Sequence, residues 1–468
     1  MLKNSNPFRY SINLSDELLT ARQEGKDTSA YEERVKSILE MEDSNPQKDV
    51  FAAEIYDEIQ ALPIIEGHPY TEPSDIEEIR AARPKTNHSL LGKNLDEKDL
   101  YDKIYGAWLG RCVGCLLGKP IEGWDRQRIT GFLKETGNYP VQYYLSSDVA
   151  PELKEKYQIV KHAWINNVEC APMDDDTNYT VLALKVFETY GIDFTPENVA
   201  TAWLRFLPIL STCTAERVAY RNFVYGIVPP HSGSYRNPYR ELIGAQIRAD
   251  FFGYVTPGNP ELAAEYAWRD ACISHVKNGI YGEMFIAAML SAAAVTEDME
   301  EIIMAGLAQI PEKSRLTEQI RNVLEWKAEG LNWEQAIDRI HTLFNEKNFD
   351  WVHTISNAVI VCTALLFGEK DLEKSIGIAI TSAFDTDCNG ATVGSVVGML
   401  LGAKALPEKW IKPLNDRLLS SISDYGSTPI SELAAKTMKI MSQVCEGRDN
   451  IAEVKKDKKI SSYVQNVE

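Results

Sequence analysis

Two segments set the architecture: Gly106-Ala107-Trp108-Leu109-Gly110-Arg111-Cys112-Val113-Gly114-Cys115-Leu116-Leu117-Gly118 and Gly390-Ala391-Thr392-Val393-Gly394-Ser395-Val396-Val397-Gly398-Met399-Leu400-Leu401-Gly402. Glycine returns at every fourth position in both, so in a helix the glycines line one face. An interior glycine costs about 1 kcal/mol relative to alanine, and a stripe of them needs compensation. Very close helix–helix contact or approach of backbone to a ligand would supply it. Close packing is the expected use, with these two as central helices packed on each other. Arg111, Lys119 and Lys404, together with runs shorter than the ~20 residues of a membrane span, exclude the membrane version of the pattern.

Outward from these stripes, apolar periodicity predicts helices at Lys103–Leu117, Asn178–Tyr190, Pro196–Phe206, Glu261–Asp270, Gly279–Val295, Leu316–Glu329, Trp333–Leu343, Ile355–Phe367 and Asn389–Leu401. Strand-like alternation is scarce, so the expected fold class is all-α, a multi-helix bundle. Residues 1–98 are glycine-poor and rich in Glu, Asp and Lys. Helical periodicity in Ala30–Glu42 and Asp49–Leu62, broken by Pro63, Pro69, Pro73 and Pro84, predicts an N-terminal helical extension there. Residues 99–445 then form one all-α domain of about 350 residues, and 446–468 read as a charged tail that frays.

The chain has 468 residues and a net charge of −19, with 44% apolar and 25% charged residues. That is a globular composition. An acidic surface with no basic stripe repels a polyphosphate backbone, so nucleic acid is not expected as a partner. A small anion would need a cation or local dipoles to draw it in. Eight cysteines without fixed spacing argue for a reducing compartment. The first residues lack the apolar core of a signal peptide, and a cytoplasmic location is expected.

Two acidic clusters each precede an apolar helix: Met173-Asp174-Asp175-Asp176-Thr177 and Phe384-Asp385-Thr386-Asp387-Cys388-Asn389. One aspartate suffices to cap a helix. Three adjacent carboxylates repel one another unless a cation neutralises them. Hard oxygen ligands at this density suit Mg²⁺, with Mn²⁺ or Ca²⁺ as substitutes, rather than zinc. In an extended backbone, Asp385 and Asp387 project to the same side. Glu122 follows Pro120, which should end the first glycine helix and leave Glu122 on a turn. Arg248 is the cation best suited to a diphosphate, and the Pro229–Pro238 segment reads as a lid or a plain surface loop.

Taken together these segments resemble the ADP-ribosylglycohydrolase family, which includes the dinitrogenase-reductase-activating glycohydrolases. Its first motif, a glycine helix ending in G-x-x-x-E, is similar to Gly106 through Gly118 and Glu122. Its T-D-D-T motif resembles Asp174-Asp175-Asp176-Thr177, and its G-x-D-T-D-T motif resembles the run from Phe384 to Cys388. Ser274-His275-Val276-Lys277-Asn278-Gly279-Ile280-Tyr281-Gly282 looks like the family's His-containing ligand loop, and His353-Thr354-Ile355-Ser356-Asn357 is also similar.

The resemblance implies a pair of magnesium ions held by Asp174, Asp175, Asp176, Asp385 and Asp387. It implies catalytic roles for Glu122 and Asp176, and substrate contacts from Gly118, His275, Asn278, Gly279, Tyr281 and Asn357. The implied reaction is hydrolysis at the anomeric carbon of a small-molecule or protein-attached ADP-ribosyl group. There are three departures: Asp174 stands for the first threonine, Cys388 for the last, and Cys115 for an aspartate of the first helix. They place the chain in a divergent branch. A catalytically silent ADP-ribose binder and a metal-dependent phosphohydrolase of ADP-ribose are the alternatives; the aglycone and the oligomeric state stay open.

Overall fold

The two glycine segments form the helices Glu97–Gly118 and Thr386–Leu401, which lie antiparallel in direct backbone contact. Gly106 faces Gly398, Gly110 faces Gly394 and Gly114 faces Gly390. A methyl group on any of these three would run into the carbonyl oxygen opposite, and one on Gly390 would lie 2.5 Å from the oxygen of Gly114. No side chain fits between these two helices, and the closeness offsets the cost of the stripes. The computed structural model describes residues 9–85, 96–160, 163–346 and 349–446.

Around this pair the chain is all-α. Helices Lys277–Ala293, Thr354–Phe367 and Leu372–Thr381 pack against the second glycine helix, and Asp175–Tyr190 touches both. Among the described residues the strands are Arg417–Leu419 and Ser427–Pro429, a short antiparallel pair with Leu418 opposite Thr428. No helix of the described residues is long and apolar enough to cross a membrane. Several helices begin earlier than apolar periodicity alone indicates. The first glycine helix starts at Glu97, where Asp96 accepts from the Lys98 N–H, and capping rather than hydrophobicity sets that boundary.

The extension has its own core: Leu14, Ala21, Val35, Ile38, Ala52, Ile55, Tyr56 and Ile59 form a separate apolar cluster. It docks through charges. Arg240 pairs with Glu17 at 2.6 Å and Glu24 at 2.7 Å, and Arg236 grips both oxygens of Asp57. Residues 70–74 then cross the main body as a strap, with Glu72 pairing with Arg315 and the Ser74 hydroxyl accepting from Lys277 N–H. Apart from Glu446, the tail expected at 446–468 lies outside the described residues.

Candidate active site

The helix Asp175–Tyr190 opens with Asp174 in an extended conformation, its carboxylate accepting from the Asp176 N–H at 2.9 Å. Its other oxygen is ion-paired with the Lys119 ammonium. The first aspartate is therefore a helix cap already neutralised by a lysine. Burial alone would push its carboxyl up, but Lys119, together with hydrogen bonds from the Asp176 N–H and from Asp175, holds it below the usual range. Asp176 differs: it is fully buried, neither carboxylate oxygen has a hydrogen-bond partner, and its cation, Arg111 Nη2, stands farther off at 3.6 Å from Oδ1. Arg111, fully buried on the first glycine helix, secures this turn by donating from Nε and Nη2 to the Asp176 carbonyl, while its Nη1 pairs with Asp250 at 2.8 Å.

Asp385 precedes the second glycine helix but makes no capping hydrogen bond with its side chain. The two residues before it, Ala383 and Phe384, sit at φ +63° and +60°. Side-chain-bearing residues rarely adopt that region, and the strain turns the aspartate inward. Asn357 holds it there, its Oδ1 accepting from the Asp385 N–H at 3.2 Å and from Asn389 Nδ2 at 2.8 Å. Oδ1 of both Asp385 and Asp387 is buried with no hydrogen-bond partner.

The two clusters converge although two hundred positions separate them. Three overlapping groups have ligand atoms within 4.8 Å of one another: Cys115, Asp174 and Asp176; Asp176, Asp387 and Cys388; Glu122, Asp385 and Asp387. Asp175 lies beside them, hydrogen-bonded to Asp174 and close enough to feel the charge of Asp387. Burial first, then the neighbouring carboxylates, raise Asp175, Asp176 and Asp385 well above the ordinary aspartate range. Asp387 is pushed up to about 8 by burial and by Asp174 and Glu122. Glu122, at the solvent-exposed mouth but largely surrounded by protein, rises to about 7 for the same reasons, against the pull of Lys119. Buried carboxylate oxygens without donors are costly alone and suit a divalent cation. Cys115 and Cys388 bring two thiols to a set otherwise made of hard oxygens.

The expected substrate contacts fare differently. Arg248 is fully buried and spends its charge on Asp270, on Glu216 at 3.0 Å and on Glu283 at 3.4 Å, leaving no face for a diphosphate. Gly118 serves packing, since a side chain there would strike the Thr386 carbonyl. Asn357 is buried as a positioning residue. The loop of His275, Asn278, Gly279 and Tyr281 is buried beneath the strap. Asn278 donates to Glu72 at 2.8 Å, and the Tyr281 hydroxyl donates to the Pro73 carbonyl. His275 is held in its neutral form by burial and bonds to the Ser274 hydroxyl at 2.8 Å. A side chain on Gly279 would meet the Arg240 carbonyl at 2.5 Å. The Pro229–Pro238 segment is anchored, Ser232 donating to the Ile273 carbonyl and Asn237 to that of Ser274. Sequence reasoning used Arg111 only to exclude a membrane helix and gave Lys119 no role at the acids. The available signal was a charged residue at a fixed offset within a stripe of glycines.

The model of the family described as ADP-ribosylglycohydrolase matches residues 96–445. Among solved structures, one described as an ADP-ribosylglycohydrolase-related protein complex is 18% identical, covers 74% of this chain and 99% of its own, and has a TM-score of 0.46. No curated protein matches.

Proposed function

This chain belongs to the ADP-ribosylglycohydrolase family, and from that premise we propose that its acid-lined cleft hydrolyses the bond at the anomeric carbon of an ADP-ribosyl or related ribosyl compound with the help of magnesium. The observation that carries this reading is the meeting of Asp176, Asp385, Asp387 and Glu122 around buried oxygens that have no donor. Asp175, Asp176, Asp385 and Asp387 would hold the cations, and Asp174 would join them once Lys119 moves aside. Divalent cations bound there would grip ribose hydroxyls and acidify a water. Glu122, exposed at the mouth with a carboxyl that titrates near 7, can take a proton from that water at its carboxylate oxygen. Its negative charge also stabilises oxocarbenium-like charge on the sugar. Arg111 and Asn357 keep the two aspartate turns facing each other.

A silent ADP-ribose binder is the second reading, favoured by the Lys119 ammonium already seated on Asp174. Product analysis with ADP-ribosylated arginine, ADP-ribosylated serine and O-acetyl-ADP-ribose, with and without Mg²⁺, tests both. Metal-dependent release of ADP-ribose supports the glycohydrolase. Release of AMP points to cleavage of the diphosphate, and binding without turnover points to the silent site.

A further inference from the structure

Where the N-terminal extension meets the main body, a cavity of about 350 Å³ is lined by Arg9, Tyr10, Tyr56, Arg217, Arg221 and Arg236. Four arginines on one small cavity contrast with a chain of net charge −19. Two of them are neutralised, Arg9 by Asp49 at 3.1 Å and Arg236 by both oxygens of Asp57. The other two meet no carboxylate among the described residues. Arg221, buried, donates only to neutral acceptors: Asn222 Oδ1 and the carbonyls of Tyr235 and Arg236. Arg217 donates to the Thr212 carbonyl, and its Nε is buried without a partner. An enclosed guanidinium with an unmet N–H is costly unless an anion arrives to satisfy it. Besides the carboxylates of Asp49 and Asp57 that are paired with Arg9 and Arg236, acidic groups stand at the Tyr239 edge, where the Tyr239 hydroxyl bonds Asp16 and Asp350 lies beside it.

The cavity is also aromatic. The guanidinium carbons of Arg221 and Arg236 lie 4.7 and 4.8 Å from the Tyr10 ring centre, and Tyr56 stands 6.4 Å from the same ring. Cations beside aromatic faces suit a phosphorylated group attached to a flat base. Its surroundings connect it to the acid cluster. A side chain on Gly123, next to Glu122, would touch the Trp351 ring at 3.9 Å, and the neighbouring Asp350 faces Tyr239 in the cavity wall. Cys213, in the same wall, lies within electrostatic reach of Asp175 and Glu122.

We propose that this cavity is the anion subsite of the catalytic cleft, taking the phosphoryl groups of the substrate, with the N-terminal extension supplying Arg9, Tyr10 and Tyr56 to its walls. It rests on the reading of the acid cluster as the catalytic centre, and it assigns the extension a part in choosing phosphorylated substrates.

The test is calorimetric titration of ADP and of inorganic pyrophosphate into the full chain without divalent metal. Both should bind the wild type. Arg217→Gln should weaken both at least tenfold while Mn²⁺ titration of the acid cluster stays unchanged, which shows the fold intact. Should that variant not fold, Arg221→Gln, which removes the other arginine without a carboxylate, is expected to lose binding in the same way. Tyr10→Ser should weaken ADP far more than pyrophosphate. In turnover assays ADP should raise KM and leave kcat unchanged; a fall in kcat alone would make the cavity a separate effector site and overturn the assignment. Absence of ADP and pyrophosphate binding in the wild type, or undiminished binding in Arg217→Gln, would also overturn it. Binding of ADP without any turnover would sink the hydrolase reading and leave the subsite standing.

Discussion

In the proposed function the chemistry would depend on Asp385 and Asp176, and each sits on a turn held by a neighbour, Asn357 for the first and Arg111 for the second. Asp385→Ala should abolish metal-dependent turnover, and Asp175→Ala likewise, with helix content by circular dichroism unchanged; full activity in either would count against the assignment. Asn357→Ala removes the acceptor for the Asp385 N–H. Partners that orient ligands in this way are typically worth 10–100-fold in metal affinity, so Mn²⁺ titration should weaken by about that factor while the helices persist. The thiol of Cys388 stands where the family motif has threonine. Cys388→Thr should shift preference from Zn²⁺ toward Mg²⁺, read by competition titration, because it replaces a soft donor with a hard one.

The paired glycine helices carry the second kind of constraint. Gly110→Ala or Gly394→Ala places a methyl against the opposing backbone carbonyl, which has no rotamer by which to yield. Overpacking of this sort typically costs 1–3 kcal/mol, and here the floor of that range is expected at least, measured as a lowered urea midpoint. Gly426→Ala is the contrast, since its nearest neighbour would sit at 3.9 Å, an ordinary contact, and its midpoint should hardly move. Because Gly118 closes the first stripe against Thr386, whose hydroxyl bonds back to the Gly118 carbonyl at 2.9 Å, the same packing sets where Glu122 emerges relative to Asp385 and Asp387.

For the molecule as a whole, the concentration of carboxylates makes stability, protons and metal interdependent. Asp387 titrates at about 8 in the fold against an ordinary 3.8, and Glu122 at about 7 against 4.5. Over that interval the native metal-free protein binds more protons than the unfolded chain, so stability falls as pH rises. The metal-free Tm should therefore decline from pH 4 to pH 8, and saturating Mg²⁺ should flatten the decline. Cation binding must expel those protons, so Mn²⁺ affinity by calorimetry should climb over the same interval and level off above it. A Tm that rose with pH without metal would show that the cluster is not built as described.

Much was legible along the chain because it is local. Four-residue glycine spacing, helical apolar periodicity and an aspartate before each apolar run are repeated short-range patterns, and they determine the all-α class and the two acidic turns. What a side chain is spent on depends on neighbours far away in sequence. Asp174 is occupied by capping and by Lys119, whereas Asp176 has no hydrogen bond to either oxygen and only a longer ion pair with Arg111 at 3.6 Å, yet the two look alike in a row of three. Arg248 appeared suited to a diphosphate until Glu216, Asp270 and Glu283 closed on it. The expected ligand loop lies beneath a strap from residues 70–74, and the uncompensated arginines sit against an extension that carried no sign of chemistry. Burial and charge compensation are properties of what surrounds a group in space, and they exist only once distant segments have packed.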